Sequence, residues 1–441
     1  MGKIQRIVGR VKQDKSLINK LLYTSLTRGI SAIGTFVFNF VLAKYLGATD
    51  LGYFMLAYSI LIGLGFLVRF GMSSAILRFV GVMYAEQEYG KIKKLRSDVL
   101  KFSLLTSSVL GVLLILLRSY ISDNFFGHSE VSNILLVFAF ALPFYSYLIL
   151  QSSFLKAYKR PELAPFFEVG LTTFITGTAI AVLAWYGLHV NGLITSIVFL
   201  FSSVFIVFLG YLVLSNLIKK EEKEVQYELE DYSGFFPSLP DYALSEITGY
   251  LLKFSPTIIL GMYVSGKDIG LYSLANSSAY VINFVLWIVS SVYAPHFASF
   301  HSQGRIQELK GLVVSSTFYM LTIAIPIFLV IITFSSFILG FFGDEFKEAK
   351  NALIIMAVAQ LFNVATGPVY FLLNMTGQER HLRNIVLLTA LISIASSFIL
   401  IPYYGYMGAA IATAIGLIVQ NSLAFSLSSK YLGINFFKKK N

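Results

Sequence analysis

The chain predicts an all-α integral membrane protein of about twelve membrane-spanning helices in two homologous six-helix lobes, and two observations carry that class. The first is composition: of 441 residues 56% are hydrophobic and 13% charged, and mean hydropathy is +0.73. That leaves too little polar surface for a water-soluble globule of this size. The second is an internal repeat. The stretch 42–59, LAKYLGATDLGYFMLAYS, returns 218 positions later at 260–277 as LGMYVSGKDIGLYSLANS, keeping Leu42/Leu260, Tyr45/Tyr263, Asp50/Asp268, Gly52/Gly270, Leu56/Leu274, Ala57/Ala275 and Ser59/Ser277. The same ungapped offset pairs Leu155 with Leu373, Tyr186 and Gly187 with Tyr404 and Gly405, and Thr195 with Thr413. Register held over this length marks two related halves, and in a membrane chain such halves point to a transporter with its site between them.

Apolar runs long enough for helical spans of roughly 20 residues fall near 19–45, 51–80, 99–118, 131–155, 163–186 and 191–217, then 243–264, 269–297, 312–340, 351–375, 384–402 and 407–430. Their continuity excludes the alternating ten-residue segments of a membrane barrel. The division is 1–218 for the first lobe, 219–242 for a linker and 243–441 for the second lobe. Residues 1–18 read either as a basic amphipathic helix on the membrane surface or as a flexible positive tail. The linker carries Glu221, Glu222, Glu224, Glu228, Glu230 and Asp231 and reads as a connector without substrate contacts. Pro143, Pro256, Pro295, Pro326 and Pro368 lie in or near spans, where each can kink a helix for packing or for movement.

Basic residues set the orientation. Twenty-six of the 34 Lys and Arg fall in tails and loops on the side of the termini, five on the other side (Lys44, Arg118, Lys267, Lys347, Lys350) and three within spans. Both termini are therefore expected in the cytoplasm, in a multi-pass plasma (inner) membrane protein. The net charge of +11 then reflects this bias and attraction to anionic lipid, and no nucleic-acid partner is expected. The first apolar run is too long for a cleavable signal peptide. There are no cysteines, so disulfides and thiolate chemistry are out. No phosphate loop, metal-spaced cluster or nucleophile–base pair occurs, and no loop could house a catalytic domain. The chain is expected not to be an enzyme and to need no metal or cofactor, with H+, Na+ or the membrane potential as candidate driving forces.

The residues that cost most in a membrane are Arg28, Arg69 and Lys253, since a charge at the bilayer centre costs about 2.5–3.5 kcal/mol and is normally turned inward. Span one carries a polar stripe, Thr24, Arg28, Ser31, Thr35 and Asn39; the repeat places Tyr242, Glu246, Gly249, Lys253 and Thr257 at the matching positions of span seven. Each stripe occupies one helix face, so the pair predicts a hydrated cleft between the lobes. Three bases against Glu246 and Glu168 suit an anion, and arginine suits a phosphate. Glu246 and Glu168 are then counter-ions, and Arg28 and Glu246, repeat mates, are a candidate gating ion pair. The competing reading is that each charge only pairs within the bundle. Tyr250, Asn276, Asn283 and Asn363 are further cavity candidates, although interhelical hydrogen bonds explain Asn276, Asn283, Gln360 and Asn363 as well.

The run 21–81, LLYTSLTRGISAIGTFVFNFVLAKYLGATDLGYFMLAYSILIGLGFLVRFGMSSAILRFVG, and the ending IPYYGYMGAAIATAIG resemble polysaccharide-biosynthesis flippases of the O-antigen (Wzx) type. Their superfamily, the multidrug/oligosaccharidyl-lipid/polysaccharide exporters, also holds multidrug and toxin extruders and lipid II flippases. The resemblance implies two six-helix lobes of the MATE-like fold, alternating access, and passage of an undecaprenyl- or dolichyl-phosphate-linked oligosaccharide to the outer leaflet. It also implies membrane lipids and glycan polymerase or ligase machinery as partners of a monomer. Arg28 and Arg69 sit where lipid II flippases carry arginines in spans one and two. The fourteen spans of that branch are not matched. The alternative is a multidrug or cation antiporter of the same fold, which would want acids rather than bases in its cavity.

Overall fold

The computed structural model describes residues 2–221 and 232–432. The described chain is helical nearly throughout: α1 (Gly2–Arg69), α2 (Met72–Ala85), α3 (Tyr89–Ser119), α4 (Glu130–Ala157), α5 (Leu171–Trp185), α6 (Gly192–Glu221), α7 (Phe235–Tyr263), α8 (Gly266–Ala279), α9 (Val281–Ser302), α10 (Ile306–Thr333), α11 (Ser335–Gly340), α12 (Lys350–Ala365), α13 (Val369–Met375) and α14 (Glu379–Leu432). Two π-helical turns, Tyr120–Phe126 and Phe166–Gly170, and a 3-10 turn, Asp344–Ala349, complete it.

Two of these helices are hairpins. α1 breaks at Gly47 (φ 74°, ψ 174°), and the Phe38 and Phe54 rings meet at 6.1 Å, although sixteen residues of straight helix would hold them about 24 Å apart. α14 breaks at Gly405 (φ 53°), which brings Gly416 against Ser393. Eight described helices are long and apolar enough to cross a membrane, and the bent pair Asp344–Ala365 and Val369–Met375 makes a ninth. Dividing both hairpins and adding the more polar α7 is consistent with the twelve crossings expected. The chain is a multi-pass membrane protein.

The repeat is visible in the backbone. Gly187 and Gly405 share a left-handed φ at the 218 offset, as do Lys159 and Gly377. The break at Gly47 has its image in the extended Val264 and Ser265 between α7 and α8. Span two breaks at Phe70 and Gly71, whereas span eight breaks earlier, between α8 and α9 at Tyr280. Pro368 follows left-handed Gly367 at the 42° bend from α12 to α13.

α7 begins at Phe235, inside the stretch expected to be linker. Left-handed Gly234 turns the chain, after which Phe235 packs edge-on against Phe79 at 5.6 Å and Phe236 meets Phe102 at 5.7 Å. Tyr232 donates to Asp98 at 3.0 Å. Aromatic burial against the first lobe thus starts the helix early. The acidic cluster 222–231 lies outside the described residues.

One apolar core runs through both lobes, joining Phe38, Leu42 and Phe54 to Leu260, Leu271 and Leu274. Toward the face with Lys91, Lys93, Arg96 and Lys159, here the basic face, it divides. A first-lobe cluster around Ile76, Leu150 and Phe154 takes in Phe235 and Leu239, while two small second-lobe clusters form around Phe297 and Leu373. A core shared at one end and split at the other leaves space between the lobes on the basic side.

Candidate functional site

At the opposite, far face the repeated turns lock together. A Cβ on Gly52 would come 1.8 Å from the Gly266 carbonyl oxygen, and one on Gly270 would come 1.9 Å from that of Ala48. Since 48 and 266, like 52 and 270, are repeat mates, each contact is the image of the other across a pseudo-two-fold axis. Only glycine permits such backbone approach. Each lobe also reaches across to a helix end of the other: Glu345 Oε1 accepts from the Ala48 N–H at 2.8 Å, and His128 Nε2 donates to the Val264 carbonyl at 2.9 Å. A carboxylate at a helix start and an imidazole at a helix end both suit the helix dipole. Lys267 pairs with Glu348 at 2.7 Å nearby.

Between this seal and the basic face lie two chambers. The central one, about 620 Å³, is bounded by Phe38, Tyr58, Phe66 and Tyr145 of the first lobe and by Lys253, Thr257, Ser273 and Asn276 of the second. The lateral one, about 690 Å³, opens between Arg28, Ile33 and Phe36 of α1, Lys156 and Glu168, and Tyr280, Phe284 and Trp287. Thr35 and Val169 line both, so the chambers adjoin. Val169 and Glu168 sit in the π-helical turn Phe166–Gly170, an irregularity often found at functional sites.

The expected charges do not share one cleft. Arg28 is exposed in the lateral chamber, Lys253 and Glu246 line the central one, and Arg69 lines neither. Arg69 is 1% exposed; its guanidinium lies 4.7 Å from the Phe66 ring and 5.8 Å from that of Tyr145, behind the chamber wall. Its Nε and Nη1 have no hydrogen-bond partner among the described residues. A buried base without a touching carboxylate is costly. Lys253 Nζ lies over the Phe254 ring at 5.2 Å.

The acids are engaged elsewhere. Glu168 is held by Lys156 and by Ser152 at 3.1 Å. Glu246 accepts from Ser74 at 2.9 Å rather than from Arg28, and Arg78 donates to Tyr242 at 2.9 Å one turn away. Of the polar candidates, Thr35, Asn39, Tyr250 and Asn276 line the central chamber. Asn283 and Asn363 do not; they hydrogen-bond each other at 3.1 Å inside the second lobe. Tyr250 bridges the lobes by donating to the Ser59 carbonyl at 3.0 Å.

Residues 17–301 match the family model described as polysaccharide biosynthesis protein, and 242–399 match the one described as MatE. The chain belongs to the polysaccharide biosynthesis protein family. It is 25% identical over 399 residues to the "Probable low-salt glycan biosynthesis flippase Agl15" of Haloferax volcanii, covering 89% of this chain and 79% of that one. Its fold is that of the lipid II flippase MurJ in an inward closed conformation (TM-score 0.72, 18% identity, 92% and 87% of the two chains). It is likewise that of an inward-facing MATE multidrug transporter of the MOP superfamily (TM-score 0.68, 14% identity, 93% and 98%). The two-lobed architecture expected from the repeat, and the MATE-like fold that the resemblance implied, are therefore those of this family member.

Proposed function

We propose that this family member is a flippase carrying a polyprenyl phosphate-linked oligosaccharide from the cytoplasmic to the outer leaflet by alternating access, with the basic face and both termini cytoplasmic. The observation that carries this reading is the aromatic-walled central chamber, lined by Lys253 and backed by buried Arg69, adjoining a lateral one. A lipid-linked anion needs both parts: a polar room for its headgroup and a side exit for a chain that stays in the bilayer. In this reading Lys253 contacts the phosphate, buried Arg69 adds positive potential where the low dielectric strengthens it, and Arg28 meets the headgroup at the lateral entry beside Trp287 and Phe284. The glycan flippase relative from Haloferax volcanii supports the substrate class. When the cytoplasmic side closes, Glu246 exchanges Ser74 for Arg28, an exchange that an R28C/E246C cross-link in this cysteine-free chain would report.

The drug-extruder reading shares the fold, but a cation in the central chamber would meet Lys253 as well as Glu246, with buried Arg69 behind the wall. The test is equilibrium binding of a polyprenyl diphosphate-linked oligosaccharide to the purified chain and to K253A. Losing one charged contact to phosphate costs about 1.5–3 kcal/mol, so K253A should bind at least about tenfold more weakly. Undiminished binding by K253A would remove Lys253 from the site, and wild-type preference for a lipophilic cation would reverse the assignment.

A further inference from the structure

The two walls of the central chamber are related by the repeat but differ in what they leave free. The first-lobe wall presents Met55 and Tyr58; 218 positions on, the second-lobe wall presents Ser273 and Asn276 of α8, with Ser277 in the place of Ser59. Ser59 is buried and donates to its own helix at the Leu56 carbonyl, 2.6 Å away. Three more polar side chains of the first-lobe wall are also engaged locally. Thr35 donates to the Ser31 carbonyl at 3.0 Å, Asn39 to that of Thr35 at 3.0 Å, and Thr173 to that of Val169 at 3.0 Å. Such back-bonding is the ordinary state of a hydroxyl or amide on a helix without another partner.

Ser273, Asn276 and Ser277 depart from it. They stand at i, i+3 and i+4, hence on one face, all three line the chamber, and none has a side-chain hydrogen bond to another described residue. An asparagine and two serines can offer four donor hydrogens and several acceptor lone pairs. Across the chamber stand the rings of Tyr58, Phe38 and Tyr145, with Tyr58 stacked on Phe54 at 5.8 Å. One wall is thus mainly aromatic, and the other carries a row of uncommitted donors and acceptors.

A pyranose has that same division, with a C–H face and a rim of hydroxyls. We infer that Ser273, Asn276 and Ser277 form a sugar-reading row on α8, which selects the glycan by its hydroxyl pattern while the first-lobe aromatics take its C–H face. Lys253 on the neighbouring α7 holds the phosphate, so the row reads the sugar next to the lipid. The inference rests on the flippase reading above and assigns headgroup selectivity within it to the second lobe. Substitutions on α8 should change which glycan is accepted; those at Lys253 should weaken every lipid phosphate.

The test compares two probes on the purified chain, a polyprenyl phosphate and the same lipid bearing a phosphate-linked disaccharide. For S273A/N276A/S277A the expected result is about tenfold or greater loss of affinity for the glycosylated lipid, as removal of several neutral hydrogen bonds implies, with affinity for the sugarless lipid unchanged. If the triple variant does not fold, N276A and S277A singly are read by the same ratio. Wild-type affinity of the folded variants for the glycosylated lipid, or equal loss for both probes, would overturn the row while leaving the flippase reading intact. Failure of the wild type to bind either lipid would overturn that reading, and the row with it.

Discussion

The lobes meet at two levels, and the two contacts are built differently. At the far face the contact is backbone on backbone, Gly52 on Gly266 and Gly270 on Ala48, duplicated by pseudo-symmetry and fastened by Glu345 and His128. At the basic face it is one-sided: Gly71 lies backbone against α7, where a Cβ would come 2.6 Å from the Leu239 carbonyl oxygen, and beside it Ser74 meets Glu246 and Arg78 meets Tyr242. The repeat image of this basic-face contact would join span one to span eight, but the lateral chamber occupies that place, lined by Arg28 on one side and Trp287 on the other. Backbone contact without side chains is steep in distance and closes sharply, whereas exposed hydrogen bonds are worth about 0.5–1.5 kcal/mol each and are easily exchanged with water. The far face, fitted on both sides of the axis, therefore acts as the closed door in this conformation, and the basic face, fitted on one side only, as the one that gives way to the lateral chamber.

The largest effect should come from the glycines. In G270L the new side chain cannot fit against the Ala48 carbonyl; overpacking of this kind costs about 1–3 kcal/mol, a roughly 5- to 150-fold change in the ratio of closed to open far face. With M55C as the only cysteine, lining the central chamber, an impermeant maleimide added at the far face should react slowly in the parent and quickly in G270L. Equal rates would mean that the glycine contact does not seal.

A smaller effect is expected at the fasteners. E345A removes the cap on the second arm of α1, worth about 1 kcal/mol, and should raise the same labelling rate several-fold without reaching the G270L value. A rate above that of G270L would place the seal in the caps instead of the glycines.

Much of this geometry could be read from the chain. The offset of 218 predicted the matched breaks, and Gly52 with Gly270, both kept in the repeat, turned out to be the residues whose missing Cβ lets the lobes touch. The stripe on span one put Thr35 and Asn39 on the chamber side. What the pattern could not supply was the rotation of one helix against another. That rotation decides that Asn283 and Asn363 meet each other, that Lys156 reaches Glu168, and that Arg28 and Lys253 open into different chambers. Nor does spacing reveal which polar side chains satisfy themselves. Asn39 and Asn276 look alike in the sequence, yet only the first bonds to its own helix. The early start of α7 was hidden because the acidic stretch before it reads as a connector, while Phe235 and Leu239 are buried by the first lobe.

The most direct measurement of the central claim is transbilayer movement. The chain is reconstituted in vesicles with a fluorescent polyprenyl diphosphate-linked oligosaccharide, and an impermeant quencher reports which leaflet holds the probe. The account predicts movement well above that in protein-free vesicles and its loss in K253A. Movement no faster than in protein-free vesicles, for a probe the chain binds, would contradict it.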